Sequence, residues 1–292
     1  MTKEEMLKLN ISDVPAKELE NLTKTYLDKC GLFYKCFSRI KQGKSIYDKL
    51  DSRIKEGKVD YKMQDLVGLR IVVYFKEDIK ICEKIIQEHF EVLEMVKDYE
   101  ETEKFGPQRI NYVCKLPEEI INSFDSSIWS YPFDKTFEIQ IRTIFSEGWH
   151  EVEHDFRYKC KTDWDSNLDL SRVLNGIFAT LDNCDWVISD LIHQMAYRHY
   201  KENNWIAMLK NIYMIRLTDV DDMDEIVEYF NDNIRVAKLF LQLDREQLLF
   251  RLSDIRRRIP LKMKTVVLLS NLMQIHDETL EKMTPEVIKN LL

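Results

Sequence analysis

The seven residues Phe137-Glu138-Ile139-Gln140-Ile141-Arg142-Thr143 constrain this chain more than any other stretch. Apolar and polar side chains alternate with a period of two, which a strand converts into one buried face and one polar face. Glu138, Gln140 and Arg142 then stand in a row, an acid, an amide and a guanidinium on the same side of a sheet. A second β-branched run, Asp65-Leu66-Val67-Gly68-Leu69-Arg70-Ile71-Val72-Val73-Tyr74, reads as a buried strand with polar residues in and beside it. Upstream lies a basic comb, Arg39-x-Lys41-x-x-x-Ser45-x-x-x-Lys49. Its steps of four predict a helix with Lys41, Ser45 and Lys49 on one face. Cations from a helix facing carboxylates from a sheet suit a metal-bound polyphosphate.

The remaining periodicities supply a frame for these segments. Residues 12–57 read as two or three helices, opened by Ser12 or Asp13 with Pro15 in the first turn and interrupted at Gly31 and Gly43. A helix over 78–90 turns Ile81, Ile85 and Ile86 inward. Strands are expected near Val92–Lys97, over Ile110–Leu116 and over 136–142, with a short helix at 118–124. The fold class is therefore α+β: a mixed sheet of about four to five strands flanked by helices. From Ile144 onward the pattern is helical. Val173, Leu174, Ile177, Phe178 and Leu181 predict one long apolar face, and further helices follow at 185–215, 221–232, 233–242, 244–258 and 264–275. The expected domains are 1–162, which carries the sheet, and 163–292, a helical C-terminal extension.

Charge and cysteine usage narrow the function classes. A net charge of −8 argues against a protein coated for duplex nucleic acid, though not against a local basic pocket. The six cysteines form no CxxC pair, which suits reduced thiols in the cytoplasm and gives no support to a zinc site. No apolar stretch approaches a membrane span and the N-terminus does not read as a signal peptide, so a cytoplasmic chain with no membrane partner is expected.

Taken in order, Arg39-Ile40-Lys41…Ser45-Ile46…Lys49, Asp65-Leu66-Val67-Gly68-Leu69-Arg70, Glu138-Ile139-Gln140-Ile141-Arg142-Thr143 and Trp149-His150-Glu151-Val152-Glu153-His154-Asp155-Phe156-Arg157-Tyr158-Lys159 resemble the RelA/SpoT nucleotidyltransferase domain, the alarmone synthetase fold. The resemblance runs from about Lys24 to Lys159. Four motifs in the family's order are specific, whereas any one alone is weak. The resemblance implies a pyrophosphokinase that moves pyrophosphate from ATP to the ribose 3′-hydroxyl of a nucleotide, a guanine nucleotide in alarmone synthesis, with AMP leaving. It implies Asp65 and Glu138 as the catalytic pair and the ligands of Mg²⁺, a hard ion that takes such oxygens. Glu138 would also approach the acceptor hydroxyl. Arg39 and Arg70 would sandwich the adenine, Lys41, Ser45 and Lys49 would hold the ATP phosphates, and Gln140 and Arg142 would line the acceptor side.

One segment departs from the family. Its acceptor loop reads Gly-Tyr-x-Ser-x-His-Tyr, the tyrosine stacking on guanine; here it is Lys104-Phe105-Gly106-Pro107-Gln108-Arg109-Ile110-Asn111-Tyr112. Pro107 replaces the tyrosine, Arg109 the serine and Asn111 the histidine. Lys104, Arg109, Asn111 and Tyr112 are the acceptor candidates there, and proline offers no π-face to a base. A second reading follows, in which the acceptor is an RNA 3′ end such as that of tRNA. The rewritten loop and the run Arg256-Arg257-Arg258…Lys262…Lys264 favour it, and the net charge opposes it. A third reading, a catalytically weak nucleotide-sensing module, is opposed by the intact Asp65, Glu138, Arg39 and Arg70. The stretch from Trp149 to Arg157 is read as a helix packing Trp149, Val152 and Phe156 under the sheet while its acids hold Arg157 or basic neighbours, in preference to a zinc site at His150 and His154. The helical extension is a candidate surface for homo-oligomerisation or a partner.

Overall fold

The computed structural model describes residues 3–97, 110–220, 222–255 and 259–291. The backbone divides into two compact units. The first comprises Met1–Thr25, Tyr34–Val73 and Cys82–Thr180, the second Tyr26–Phe33, Tyr74–Ile81 and Leu181–Leu292.

The elements run in chain order α1 (Lys3–Leu7), α2 (Val14–Leu27), β1 (Tyr34–Ile40), α3 (Gly43–Lys55), β2 (Val67–Val73), α4 (Asp78–His89), β3 (Val92–Lys97), β4 (Ile110–Lys115), α5 (Glu118–Asn122), β5 (Thr136–Thr143), α6 (Ile144–Glu153), α7 (Lys161–Asp165) and α8 (Leu168–Lys201). The five strands form the expected mixed sheet, in the order β1-β2-β5-β4-β3. β2 and β5 are parallel, and the other neighbours are antiparallel.

Residues opposite one another across a ladder share a face, so register sorts the side chains. One face carries Cys36, Leu69, Ile71, Ile139, Ile141 and Tyr112, all buried. Helices cover it. Tyr112 donates from its hydroxyl to Glu83 on α4 at 3.1 Å, and Ser38 donates to Glu20 on α2 at 2.6 Å. The other face carries Phe37 and Arg39 on β1, Gly68 and Arg70 on β2, Glu138, Gln140 and Arg142 on β5, and Asn111 on β4. Burying one face and leaving the other polar is what the alternation in β5 demands.

Four expectations need correction. Residues 34–40 are a strand, not helix: Tyr34, Cys36 and Ile40 are buried while Lys35, Phe37 and Arg39 are exposed, a period of two. Gly43 does not break a helix but opens α3, where a Cβ would lie 2.4 Å from the carbonyl oxygen of Leu7. The helix expected over 185–215 is two, because Asn203 takes a positive φ of 55° and Asn204 caps the next helix by accepting from the backbone N–H of Ala207 at 3.3 Å. On α8, Phe178 is buried, whereas Val173 and Ile177 are exposed, so the expected single apolar face is split.

The second unit is helical beyond α8, with α9 (Trp205–Tyr213), α10 (Asp224–Asp232), α11 (Ile234–Phe240), α12 (Arg245–Asp254), α13 (Met263–Ser270), α14 (Glu278–Met283) and α15 (Glu286–Lys289). Trp205, Tyr213, Phe230, Phe240, Leu248 and Val266 are fully enclosed in its core. One buried ion pair fixes α12: Arg245 donates to Asp78 at 2.6 Å and to the carbonyl oxygens of Tyr213 and Met214 at 2.7 and 3.1 Å. Those carbonyls belong to the last turn of α9, where Met214 adopts a left-handed φ of 45°. Among the described residues no helix is long and apolar enough to cross a membrane.

Candidate active site

The polar face of the first unit bounds a pocket of about 330 Å³. Its walls include Phe37, Ser38 and Arg39 from β1, Lys41 beyond it, Asp65, Gly68, Leu69 and Arg70 from β2 and its approach, Glu138 and Gln140 from β5, and Glu147 and Glu151 from α6. Six of the residues singled out in the sequence are therefore on one wall set: Arg39, Lys41, Asp65, Arg70, Glu138 and Gln140. Gly68 stands opposite both Arg39 and Glu138 in the ladders, and a Cβ there would rest 3.6 Å from the Arg39 side chain. The Arg39 stem therefore lies against β2 at ordinary van der Waals distance.

Asp65 precedes β2 and gathers the cations. Lys41 and Lys49 both donate to its Oδ2, Lys49 at 2.5 Å. The comb therefore converges through tertiary structure rather than along one helix face: Arg39 lies on β1, Lys41 in the turn after it and Lys49 on α3. Burial alone would raise the Asp65 pKa, but the two ammonium groups outweigh it and hold the carboxylate below its usual range. Burial lowers the Lys41 pKa, against the opposing pull of Asp65; at Lys49 the Asp65 contacts overcome burial and raise it. The other oxygen, Oδ1, is buried with no hydrogen-bond partner among the described residues. Ser45 is exposed and, like Lys49, is not among the residues lining the pocket.

Glu138 is held by two amides. Asn111 donates to Oε1 at 2.9 Å, and Gln140 donates to Oε2 at 3.2 Å. Both oxygens are engaged by neutral donors on the sheet itself, which sets the direction of the carboxylate.

Arg70 is bound by α6. Its Nη1 donates to Glu147 and to Glu151, each at 2.5 Å. Glu147 stands in the first turn of α6, just after the capping box in which Thr143, the last residue of β5, accepts from the backbone N–H of Ser146. Arg142 is buried, 3.4 Å from Glu147, and is not among the residues lining the pocket, contrary to the expectation that it faces the acceptor. Burial and the Arg70 charge pull its pKa down to about 10. Burial and the same two guanidiniums lower the His150 imidazole to about 4. Tyr112 is also corrected: it is fully buried on the opposite sheet face. Lys104, Arg109 and Pro107, like Arg256 to Arg258, lie outside the described residues.

In the motif after β5, Trp149 is buried, 4.8 Å from Phe178, and donates to the carbonyl oxygen of Leu174 at 3.3 Å. Glu153 holds Arg157 at 3.2 Å, as expected. Val152 and Phe156 are exposed rather than packed under the sheet. Glu147 and Glu151 are site residues that the sequence reading missed. Their signal was present, two acids one turn apart directly after β5, but the arginine they hold is 77 and 81 residues away.

Residues 38–163 match the family model described as the region found in RelA / SpoT proteins. GTP pyrophosphokinase YwaC of Bacillus subtilis (strain 168) is 30% identical over 131 residues, 43% of this chain and 59% of that protein. GTP pyrophosphokinase YjbM of the same organism is 27% identical over 123 residues, covering 41% and 54%. The chain thus spans a little over half the length of the curated relatives it matches. Among solved structures, small alarmone synthetase 2 from Bacillus subtilis aligns with 61% of this chain and 93% of its own, at 22% identity and a TM-score of 0.48.

Proposed function

We propose that this protein, whose residues 38–163 carry a RelA/SpoT region, is a pyrophosphokinase that transfers the β,γ-pyrophosphate of ATP to the 3′-hydroxyl of a nucleotide. The observation that carries the proposal is the pairing, in one pocket, of a fixed carboxylate with a charge-balanced carboxylate. Glu138 is oriented by two amides, and Asp65 is neutralised on one oxygen and bare on the other.

In the proposed reaction the acceptor 3′-oxygen attacks Pβ of ATP, the Pα–O–Pβ bridge breaks on the Pβ side, and AMP leaves with the bridging oxygen. Glu138 takes the proton from the 3′-hydroxyl, a role for an oriented base within hydrogen-bond reach of its target. Lys41 and Lys49 transfer their hydrogen bonds from Asp65 to the phosphates. Charge neutralisation and positioning are most of what such a transfer asks of a protein. Arg39 and Arg70 offer planar guanidiniums to the adenine, a stacking task that lysine cannot perform.

The residues also fit Mg²⁺. The buried Oδ1 of Asp65 is an oxygen for which the described residues supply no hydrogen-bond donor, and Glu138 lines the same pocket. Those two carboxylates would hold the ion, which supplies charge neutralisation at the bridging phosphate oxygens when bound.

The test is incubation with α-labelled ATP and Mg²⁺ against GDP, GTP, ADP, ATP and bulk tRNA in parallel. Labelled AMP that forms only with a free nucleotide supports the proposal. AMP formation with tRNA alone would move the acceptor to an RNA end, and ATP binding without AMP from any acceptor would favour a nucleotide-sensing module.

A further inference from the structure

Glu147 and Glu151 stand one turn apart on α6, so both side chains project from the same helix face. Each accepts from Nη1 of Arg70 at 2.5 Å, which commits both hydrogens of that nitrogen. A guanidinium is planar, and two bonds on one nitrogen fix that plane. The first of the two carboxylates is rigid: Glu147 follows the capping box that ties α6 to the end of β5, and acids in a first helical turn are favoured by the helix dipole. Its second oxygen lies 3.4 Å from Nε of Arg142, so Glu147 sits between two guanidiniums that share a sheet face. Without it the two cations would face one another directly.

Resting on the reading of the pocket as a donor-nucleotide site, we propose that Glu147 and Glu151 form a clamp that presets the plane of Arg70 for stacking on the donor base. They are positioning residues. A free arginine side chain surrenders rotamer freedom when it orders against a ligand, and a clamp removes that cost before the ligand arrives. Because the clamp acts only through the base, it matters for ATP and not for a polyphosphate without one.

The experiment measures equilibrium binding of α,β-methylene-ATP and of inorganic tripolyphosphate, each with Mg²⁺, to the wild-type protein, Glu151→Gln and Glu147→Gln/Glu151→Gln. Glu151 has a 58% exposed side chain, so its single substitution leaves the core untouched. Affinity for the ATP analogue should fall about three- to ten-fold in the double variant, the cost of ordering a released arginine. Tripolyphosphate affinity should hold or tighten, since two negative charges leave the pocket rim. In turnover the loss should fall on KM for ATP rather than on kcat. Parallel loss for both ligands, tightening for both, or no change for the analogue would overturn the clamp. Failure of the donor-site reading is separable: wild-type protein would then bind the analogue no better than tripolyphosphate.

Discussion

Asn111 on β4 donates its Nδ2–H to Oε1 of Glu138 on β5 at 2.9 Å. Asn111 is thus a neutral donor that grips the proposed base, at the position where the RelA/SpoT pattern has a histidine. Replacing Asn111 with Asp puts a second carboxylate against Glu138, and two such groups resist being charged together. The acid limb of the pH–rate profile should then move to higher pH, with a greater loss at pH 6 than at pH 9. Asn111→Ala, which removes the donor without adding charge, should lower kcat about ten-fold or more and displace the limb less than Asn111→Asp does.

The shared grip of Lys41 and Lys49 on Asp65 makes a separate forecast. With no nucleotide bound, the ammonium groups satisfy the carboxylate that the metal would use. Lys49→Met should therefore tighten binding of Mg²⁺ alone by titration calorimetry while weakening binding of Mg·ATP. Charge-assisted hydrogen bonds of this kind contribute about 1.5–3 kcal/mol, or roughly ten- to a hundred-fold in affinity. Equal weakening of both would show that Lys49 only supports the local fold.

Glu20 gives a stability prediction with a definite pH window. It is 5% exposed and accepts from Lys17, Lys24 and Ser38. Burial would raise its pKa, but those three donors bring it down to about 2 from an ordinary 4.5. The folded value lies below the unfolded one, so the contribution is complete above about pH 4.5 and is lost as the pH falls through about 2. Glu20→Gln should cost roughly 1–3 kcal/mol at pH 7 by denaturant titration. The gap from wild type should narrow steadily below pH 4.

In the helical unit, Asp78 is fully buried and its carboxylate meets Arg245 at 2.6 Å. Burial raises its pKa despite that partner. Arg245→Met strands the carboxylate and frees two carbonyl oxygens of α9, and should cost about 3–5 kcal/mol at neutral pH. The deficit should shrink from neutral pH toward pH 4, because a protonated Asp78, the form that burial favours, no longer needs the cation. Thermal melts at the two pH values check this.

The polar face was legible because a period of two is a local property: Glu138, Gln140 and Arg142 follow from seven consecutive residues. β1 was not, since Ser38 interrupts its inward positions, Phe37 interrupts its polar ones, and its extended form is fixed by pairing with β2, a non-local event. The same limit explains the comb. Spacing placed Lys41, Ser45 and Lys49 on one helix face, whereas the turn after β1 carries Lys41 to Asp65 and leaves Ser45 in solvent. Arg142 obeyed the alternation, but α6 packs against its end of β5 and Glu147 buries it. Burial of that kind depends on what covers a face, which no alternation records.

The most direct test of the central claim is the stoichiometry of a transfer catalysed through Glu138. ATP labelled in its γ-phosphate is incubated with Mg²⁺ and the best acceptor, and AMP and the 3′-modified acceptor are quantified together. Intact pyrophosphate transfer predicts one AMP for each labelled acceptor, no accumulation of ADP, and loss of both products in Glu138→Gln, whose fold and analogue binding persist. Release of ADP and inorganic phosphate without AMP, or transfer that survives in Glu138→Gln, would contradict it.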